Sequence, residues 1–403
     1  MMKRIFALAL CLFLLMPLLP TPIHAAEPVT VNLYNWGQYL SDGSDGCIDV
    51  IAEFEAKYPH IKINQMTFDS NESMYTKLSA GGSSFDLIIP SDYMVEKLIQ
   101  EDMLLPINHE NVPNFQYVDK RFRDPTYDPG NVYSMPYTWG SVGIIYNSAF
   151  VAEEDVAAQS WDLLWNEKYA NKILMFDNPR DAFAVAQFRL GYSINTEDPD
   201  ELEACAKLLR EQKPLVQSYV MDQVFDKMQR GEAWIAPYYA GDYLLMAGEN
   251  EDLKFYRPVE GYNLFVDSIC IPKGAEHKEE AELFINFLLE PEICGGNLEY
   301  IGYSSPETAS KEFMDPEVAN SPVAYPDEEE LAQGREFSAL SQESTQYMNA
   351  LWLTVKTADT ATTVYLVMTI IGVVLTIVLW ISFKVRKRKA KARRCQKWKN
   401  EEC

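Results

Sequence analysis

The sequence predicts an open α/β sheet in a body of two lobes, with an apolar segment at each end of the chain. Three observations support this prediction. Strand and helix patterns alternate from residue 29 onward, as in sheets covered by helices. The length of 403 residues suits two lobes, and a composition with 47% apolar and 12% aromatic residues can bury a large core.

The first elements follow a β-α-β-α-β order. Residues 29–34 have the β-branched and aromatic character of a strand. Ile51 and Phe54 then recur at helical spacing before Pro59. The order continues with a strand at 61–66, a helix at 74–80, an apolar strand at 86–90 and a helix at 94–100.

Two loops of this half are predicted to meet. Residues 35–39 follow the first strand, and residues 91–93 follow the third. Ligands in open α/β sheets bind beyond the carboxyl ends of the strands, so both loops should lie at one edge. Aromatic residues delivered to one edge by two loops are the first indication of a binding cleft.

The alternation resumes in the second half of the chain. Strands are predicted at 137–146, 173–176, 234–236 and 268–271, and helices at 161–165, 181–190, 201–209, 220–230 and 281–289. The sequence contains no Gly-rich phosphate loop of the P-loop or dinucleotide type. We therefore expect no cofactor.

The N-terminus has the pattern of a secretory signal peptide. Lys3 and Arg4 precede an apolar run at 5–19, and cleavage is predicted after Ala25 or Ala26. Residues 1–25 are therefore predicted to direct export. An uncleaved anchor is the alternative.

A second apolar segment near the C-terminus predicts one transmembrane helix at 360–383. Residues 364–383 carry no charge, and twenty such residues can cross a hydrocarbon layer of ~30 Å. The basic tail at 384–403 should stay in the cytoplasm by the positive-inside rule. The body is therefore predicted to lie outside the cell membrane, anchored by a single span.

Charge is distributed unevenly along the chain. The formal net charge is −24, but residues 384–403 carry ten Lys or Arg against two Glu, and the signal adds Lys3 and Arg4. Removing these contributions of +8 and +2 leaves −34 for residues 27–363. Such a body should repel nucleic acid and attract cations, although solubility alone explains most of this acidity.

Cysteine and histidine usage argues against a metal centre and against an enzyme. No C-x-x-C motif occurs, so we expect no metal site. A secreted hydrolase would need a base, and the body histidines His60, His109 and His277 lie in ordinary, surface-like contexts. Four body cysteines permit three full pairings, which the sequence does not distinguish: Cys47, Cys205, Cys270 and Cys294.

Aromatic residues cluster at predicted strand ends, where they could surround an organic cation. A cation over an aromatic face gains ~0.5–2 kcal/mol, and burying a four-methylene spacer contributes about 3 kcal/mol. Asp267, at the mouth of an apolar strand, is the acid we expect to meet the cation. A surface turn acid is the alternative for Asp267, and a first-turn acid that stabilises a helix N-terminus is the alternative for Asp181. The aromatic residues are Trp36, Tyr39, Tyr93, Tyr137, Trp139, Tyr238, Tyr239, Phe265 and Tyr303.

Several ordered blocks carry a resemblance to a known family. They are LYNWGQY at 33–39, SNESMY at 70–75, DLIIPSDY at 86–93, MPYTWG at 135–140, SWDLLW at 160–165, FVDS at 265–268 and IGY at 301–303. In this order they resemble the spermidine/putrescine-binding proteins of bacterial ABC importers, the PotD family. The resemblance spans about residues 29–339, and the spacing of the blocks makes it specific.

The resemblance implies a two-lobed periplasmic-binding-protein fold of the type II-like class, in which a hinge closes the lobes over a ligand. The chain would cross between lobes near Trp139 and again near Phe265. The implied lobes are 27–139 with 265–311 for lobe 1, and 140–264 with 312–357 for lobe 2.

The resemblance also implies a ligand pocket. Asp181 would hold a terminal amine and Asp267 an amine further along. Ring faces from Trp36, Tyr239 and Phe265 would line the spacer. The implied function is capture of a polyamine, putrescine or spermidine, and its delivery to ABC permease subunits without catalysis. The implied pocket residues are Trp36, Tyr39, Ser91, Tyr93, Asp181, Tyr239, Phe265, Asp267 and Tyr303.

Four positions depart from the family pattern. Phe265 and Tyr239 stand where members often have Trp. Asn178 stands where some members carry a second acid, and Phe337 replaces an amide-bearing residue. Loss of one acid favours a diamine over a triamine. The transmembrane helix is unusual too, since members are commonly free in the periplasm or lipid-anchored, and here the helix would replace the lipid.

Two other hypotheses stay open within the class of binding proteins. One is a receptor for a different solute, such as another amine, a thiamine-like cation or an iron complex. The other is a tethered ligand sensor, whose output would need another chain because the basic tail is short. Asp267 together with the aromatic walls favours an amine.

Overall fold

The computed structural model describes residues 28–81 and 84–401, with the backbone alone at 45, 359–368, 392 and 394–401. The predicted signal at 1–25 lies outside the described residues. The strands are β1 Val29–Trp36, β2 Ile61–Phe68, β3 Leu87–Ile88, β4 Leu104–Leu105, β5 Ser134–Asn147, β6 Ile173–Phe176, β7 Val216–Val220, β8 Ile235–Tyr239, β9 Leu253–Tyr256, β10 Tyr262–Pro272 and β11 Gly334–Arg335.

Helices cover these strands and connect them. The α-helices are α1 Val50–Lys57, α2 Asn71–Ala80, α3 Asp92–Gln100, α4 Glu153–Val156, α5 Pro179–Leu190, α6 Pro199–Gln212, α7 Val224–Gln229, α8 Ala240–Glu249, α9 Lys278–Leu288, α10 Pro291–Ile301, α11 Pro316–Ala319, α12 Glu328–Leu331 and α13 Gln342–Glu401. Short 3-10 helices lie at Ser44–Gly46, His109–Asn111, Pro113–Tyr117, Lys120–Phe122, Trp161–Trp165, Glu167–Tyr169, Lys213–Leu215 and Ala309–Phe313.

The strands form two parallel groups joined by a pair of long antiparallel strands. Hydrogen-bonded neighbours run in the order β2-β1-β3-β10-β5-β8-β6-β7. In the first group β1 is parallel to β2 and β3, and in the second β6 is parallel to β7 and β8. Because β5 and β10 run antiparallel between the groups, the fold is a two-lobed α/β structure. We call the lobe built on β1–β3 lobe 1 and the lobe built on β6–β9 lobe 2.

The two long strands change partners where the lobes meet. Strand β5 pairs with β10 as far as Ser141, and from Val142 onward it pairs with β8. Within the first stretch Gly140 lies opposite Phe265. The predicted crossings near Trp139 and Phe265 fall beside this change, while the lobe boundaries themselves stay a prediction.

Helix caps fix the start of two helices that face the cleft. At α2, the Ser70 side chain accepts a hydrogen bond from the Ser73 amide at 3.1 Å, and Ser73 reciprocates. At α5, the Asn178 side chain accepts from the Asp181 amide at 3.1 Å, and Pro179 occupies the first helical position. These local signals place the first turns of α2 and α5 at the interlobe edge.

The predicted helix at 220–230 is wrong at its N-terminal end. Val220 is the last residue of β7, which is parallel to β6, and the helix begins only at Val224. Val220, Val224 and Met228 are all buried. Their four-residue spacing therefore looks helical, although the first of them is buried as part of a strand.

Two helices that the sequence did not predict contain glycines with a packing role. A Cβ at Gly241 of α8 would lie 2.4 Å from the Tyr303 ring, and a Cβ at Gly295 of α10 would lie 2.5 Å from the Ser310 backbone oxygen. Glycine lowers helix propensity by about 1 kcal/mol relative to alanine, which hides these helices from local analysis. Close tertiary contact requires the glycines here.

The long helix α13 begins on the body and leads away from it. Within the described residues, one helical segment, Thr369–Lys391, is long and apolar enough to cross a membrane. It overlaps the predicted span at 360–383. The side chains at 370–391 are exposed rather than packed against the body.

Candidate functional site

One interlobe cavity brings the predicted pocket residues together. It has a volume of about 80 Å³ and lies between the ends of β1 and β3 in lobe 1 and the starts of α5 and α8 in lobe 2. All nine residues implied by the family resemblance line it: Trp36, Tyr39, Ser91, Tyr93, Asp181, Tyr239, Phe265, Asp267 and Tyr303. Their role in binding stays a prediction.

Asp267 lies at the centre of this cavity wall, on β10. It is 4% exposed, and its Oδ2 accepts a hydrogen bond from the Tyr39 hydroxyl at 2.5 Å. The Tyr39 oxygen also lies 2.6 Å from Thr138 Oγ1. Burial raises the pKa of Asp267 to about 6, and the interactions with the Ser91 and Tyr39 hydroxyls oppose that rise only in part.

The second oxygen of Asp267 is unmatched. Asp267 Oδ1 is buried and has no hydrogen-bond partner among the described residues. A β-bulge beside Asp267 shifts the register of β10 against β5, and such bulges re-aim the side chains next to them. An ionised carboxylate is costly in this position, so the site is built to receive a donor or a cation.

Asp181 supplies a second buried carboxylate, from lobe 2. Its Oδ2 accepts from the Tyr239 hydroxyl at 2.8 Å and also from the Asn178 amide, which caps the same helix. Burial raises the pKa of Asp181 to about 6. The first turn of α5 therefore gives Asp181 both a position near the positive end of the helix dipole and a place on the cavity wall.

Packed rings form the remaining walls. Tyr39 meets Tyr303 edge-on with centroids 4.9 Å apart, and Tyr239 meets Phe265 edge-on at 5.6 Å. Close approach to glycine makes room for these rings, since a Cβ at Gly140 would lie 2.7 Å from Phe265. The indole nitrogen of Trp36 donates to the Ile89 carbonyl at 2.8 Å, which fixes that ring against lobe 1.

Ser91 and Tyr93 are held by the first turn of α2. The Asn71 side-chain amide donates to Ser91 Oγ at 3.0 Å and its carbonyl accepts from the Ser91 amide at 3.1 Å. The Tyr93 hydroxyl donates to Glu72 Oε1 at 2.9 Å. The block at 70–75 therefore supports the block at 86–93, because Asn71 and Glu72 hold the loop after β3.

Three further acids at the cavity were not predicted from the sequence. Asp242 is half-buried in the first turn of α8, and burial raises its pKa to about 8, against a hydrogen bond from Tyr303. Asp69 and Asp222 are exposed at the mouth, one on each lobe. The position of Asp242 three residues after Tyr239, which ends β8, is the signal that could have identified it.

The lining of the cavity is strongly acidic. Five carboxylates line it, and the described lining residues include no Lys, Arg or His. Arg180, next to Asp181 in sequence, turns away from the cavity: it donates to Asn195 at 2.7 Å and stacks on the Phe337 ring with its guanidinium carbon 4.3 Å from the centroid. The lining acids are Asp69, Asp181, Asp222, Asp242 and Asp267.

Several known proteins are similar to this chain in sequence. A family model for bacterial extracellular solute-binding proteins matches residues 82–334. The chain is 34% identical over 312 residues to the spermidine/putrescine-binding periplasmic protein of Salmonella typhimurium, which covers 77% of this chain and 87% of that protein. It is 28% identical over 348 residues to the putrescine-binding periplasmic protein SpuD of Pseudomonas aeruginosa. That alignment covers 82% of this chain and 93% of SpuD.

Known structures share the fold. The crystal structure of the spermidine/putrescine ABC transporter substrate-binding protein PotD from Streptococcus pneumoniae matches with a TM-score of 0.68 at 34% identity, over 81% of this chain and 98% of that one. The chain therefore belongs to the bacterial extracellular solute-binding proteins. The resemblance predicted from the sequence is confirmed, and the protein is a two-lobed binding protein rather than an enzyme.

Proposed function

We propose that this protein captures a polyamine in its interlobe cavity and delivers it to an ABC permease in the membrane. The observation that carries the proposal is the lining of that cavity, where five carboxylates and ten aromatic rings meet and no described residue contributes a cationic side chain. The similarity to spermidine/putrescine-binding relatives supports the same ligand class.

The buried acids Asp181 and Asp267 would pair with the ammonium groups of the ligand. An ammonium group beside Asp267 would satisfy the unmatched Oδ1 and remove the cost of burying that carboxylate. Rings around the spacer contribute about 0.8 kcal/mol for each buried methylene, and each cation over a ring face adds ~0.5–2 kcal/mol. A short chain of methylenes between two ammonium groups combines these terms.

The size of the cavity favours a diamine over a triamine. The cavity volume of about 80 Å³ is small for a ligand site. Putrescine has six non-hydrogen atoms, whereas spermidine has ten. Phe337 lines the cavity and packs edge-on against Tyr93 at 5.6 Å, so its ring takes space that a longer ligand would need.

Isothermal titration of the full chain in lipid nanodiscs tests the proposal. Putrescine should bind most tightly, with spermidine weaker and thiamine weaker still. Butylamine, which has the same four carbons but one charge, is the matched control and should lose at least ~10-fold in affinity. Equal binding of butylamine and putrescine, or no binding of either amine, would contradict the proposed function.

Replacing Phe337 by Gln together with Asn178 by Asp should shift selectivity toward spermidine. The double variant removes the Phe337 ring from the cavity lining and adds a carboxylate beside Asp181, where a third ammonium group can pair. We expect spermidine affinity to rise by about 10-fold relative to putrescine in competition titrations. Phe313→Gln, at an exposed ring outside the cavity, is the control, and an unchanged ratio in the double variant would argue against this reason for diamine preference.

The chain is also proposed to be an exported protein of the cell membrane, held by one span. The apolar segment Thr369–Lys391 and the basic residues that follow 383 support a helix across the bilayer with a cytoplasmic tail. Protease treatment of intact cells should digest the body while a tag at the C-terminus survives. Loss of that tag on intact cells would place the tail outside and contradict the orientation.

A further inference from the structure

The first turns of α13 pack tightly on lobe 2. An apolar face is buried there, with members three or four residues apart, as expected for one side of a helix. The Trp352 ring meets Tyr219 of β7 edge-on, with centroids 5.1 Å apart. The buried members are Met348, Leu351, Trp352 and Val355.

Polar contacts to lobe 2 secure the same turns. Arg210 of α6 donates to Thr354 Oγ1 at 2.9 Å, and Lys213, just after α6, donates to the Val355 carbonyl at 3.2 Å. Lys356 forms an ion pair with Asp177, which follows β6. Since these partners come from separate elements of lobe 2, α13 is held against rotation as well as translation.

A cavity of about 220 Å³ separates the start of α13 from lobe 1. At roughly 10–15 Å³ for each water, it has room for about fifteen to twenty water-sized groups. A hydrogen bond to lobe 1 comes from the chain just before α13, where the Ala339 amide donates to Glu96 at 2.7 Å. The cavity is lined by Glu72, Tyr75 and Lys97 on lobe 1 and by Gln342, Gln346 and Asn349 on the helix.

Nothing in the sequence of α13 provides a hinge between the body and the apolar segment. The backbone is helical from Gln342 to Glu401, and this stretch contains no proline and a single glycine, Gly372. Sharp kinks in helices require proline, Gly/Ser pairs or an inserted side chain. A displacement of lobe 2 would therefore be transmitted along the helix.

We propose that α13 is a rigid extension of lobe 2, so that ligand-driven closure moves lobe 1 against a lobe 2 fixed at the membrane. The inference rests on the proposed polyamine binding and on the proposed span. The cavity beside α13 leaves room for lobe 1 to move relative to the helix, whereas the packed interface holds lobe 2 against it. The distance of lobe 1 from the membrane helix would then report whether the cleft is occupied.

Spin-label distance measurements on the full chain in nanodiscs test this inference. Labels are introduced as an unnatural amino acid at three exposed positions: 353 on α13, 207 on α6 and 53 on α1. Saturating putrescine should leave the 353–207 distance unchanged and shift both the 353–53 and the 53–207 distances by more than about 2 Å. A shift of 353–207 as large as that of 353–53, or a constant 353–53 distance, would overturn it.

A variant of the docking interface provides a second test. Trp352→Ala combined with Lys356→Ala should broaden the 353–207 distance distribution, whereas Tyr347→Ala, at a partly exposed ring on the same helix, should leave it narrow. An unchanged distribution in the double variant would overturn the rigid attachment. Calorimetry on the same samples separates the two proposals, because absent putrescine binding contradicts the proposed function, while normal binding with a mobile 353–207 pair contradicts only this inference.

Discussion

Replacing Asp267 by Asn should weaken putrescine binding by about two orders of magnitude. Asn preserves the shape of the side chain but removes the charge that would face an ammonium group. Truncating one partner of a buried charge pair costs ~2–5 kcal/mol, and about 2.8 kcal/mol corresponds to 100-fold in affinity. Isothermal titration with putrescine at pH 7.5 measures the effect directly.

The stability of the ligand-free variant distinguishes a binding role from a structural one. Asp267 is buried with one oxygen unmatched, so neutralising it should leave the thermal midpoint equal or higher. Asp226→Asn changes an exposed acid that pairs with Arg230 outside the cavity, and its putrescine affinity should match that of the parent. Undiminished binding by Asp267→Asn would remove the basis of the proposed function.

Putrescine affinity should fall steeply as the pH is lowered from 7.5 to 5. Burial raises the pKa of both Asp181 and Asp267 to about 6 in the free protein, so acidification protonates the groups that would pair with the amines. The amines, with pKa values near 10, stay charged throughout this range. Two acids that each lose about 10-fold in ionisation would lower the affinity by roughly 100-fold.

The stability of the free protein should show the opposite trend. A carboxyl group with a pKa above its unfolded value contributes stability that is complete below the unfolded pKa, near 3.9, and is lost as the pH rises through the folded value. For Asp181 and Asp267 the loss is expected between about pH 4 and 6, and for Asp242 it continues to about 8.

Thermal unfolding across pH 5–8 therefore tests both trends together. The midpoint of the free protein should decline with rising pH, while the increase produced by a fixed putrescine concentration should grow. The Asp267→Asn variant serves as the control, since its free-protein profile should be flatter. If putrescine raises the thermal midpoint by the same amount at every pH from 5 to 8, the buried acids do not take part in binding.

Much of the site follows from local sequence. The β-branched run of β1 ends at Trp36, and the apolar centre of β3 is followed by Ser91 and Tyr93, so both loops are predictable from strand patterns alone. The acids at 181 and 267 stand out because each adjoins an apolar element. Parallel strands bring their carboxyl ends to one edge, which is why residues distant in sequence could be assigned to one cleft.

Other parts of the site depend on contacts that no local pattern contains. Asp242 follows an apolar strand much as Asp267 lies within one, but it belongs to a helix whose glycine concealed it, and burial raises its pKa in spite of the hydrogen bond from Tyr303. Arg180 is adjacent to Asp181, and its hydrogen bonds to Asn195 and to the Ser338 carbonyl, together with its stacking on Phe337, turn its charge away from the cavity. The direction of a side chain and the loss of its hydration are properties of the packed lobes.

The amino-acid sequence by itself determined the order of strands and helices, the apolar segment of α13 and the supply of acids and rings, because periodicity and composition express which face of each element avoids water. The tertiary structure alone decided which acids meet around a cavity with no basic side chain among its described lining residues, and which lobe the long helix packs against. Both depend on long-range packing, since the energy of a buried carboxylate or of a docked helix is set by the neighbours that folding brings to it.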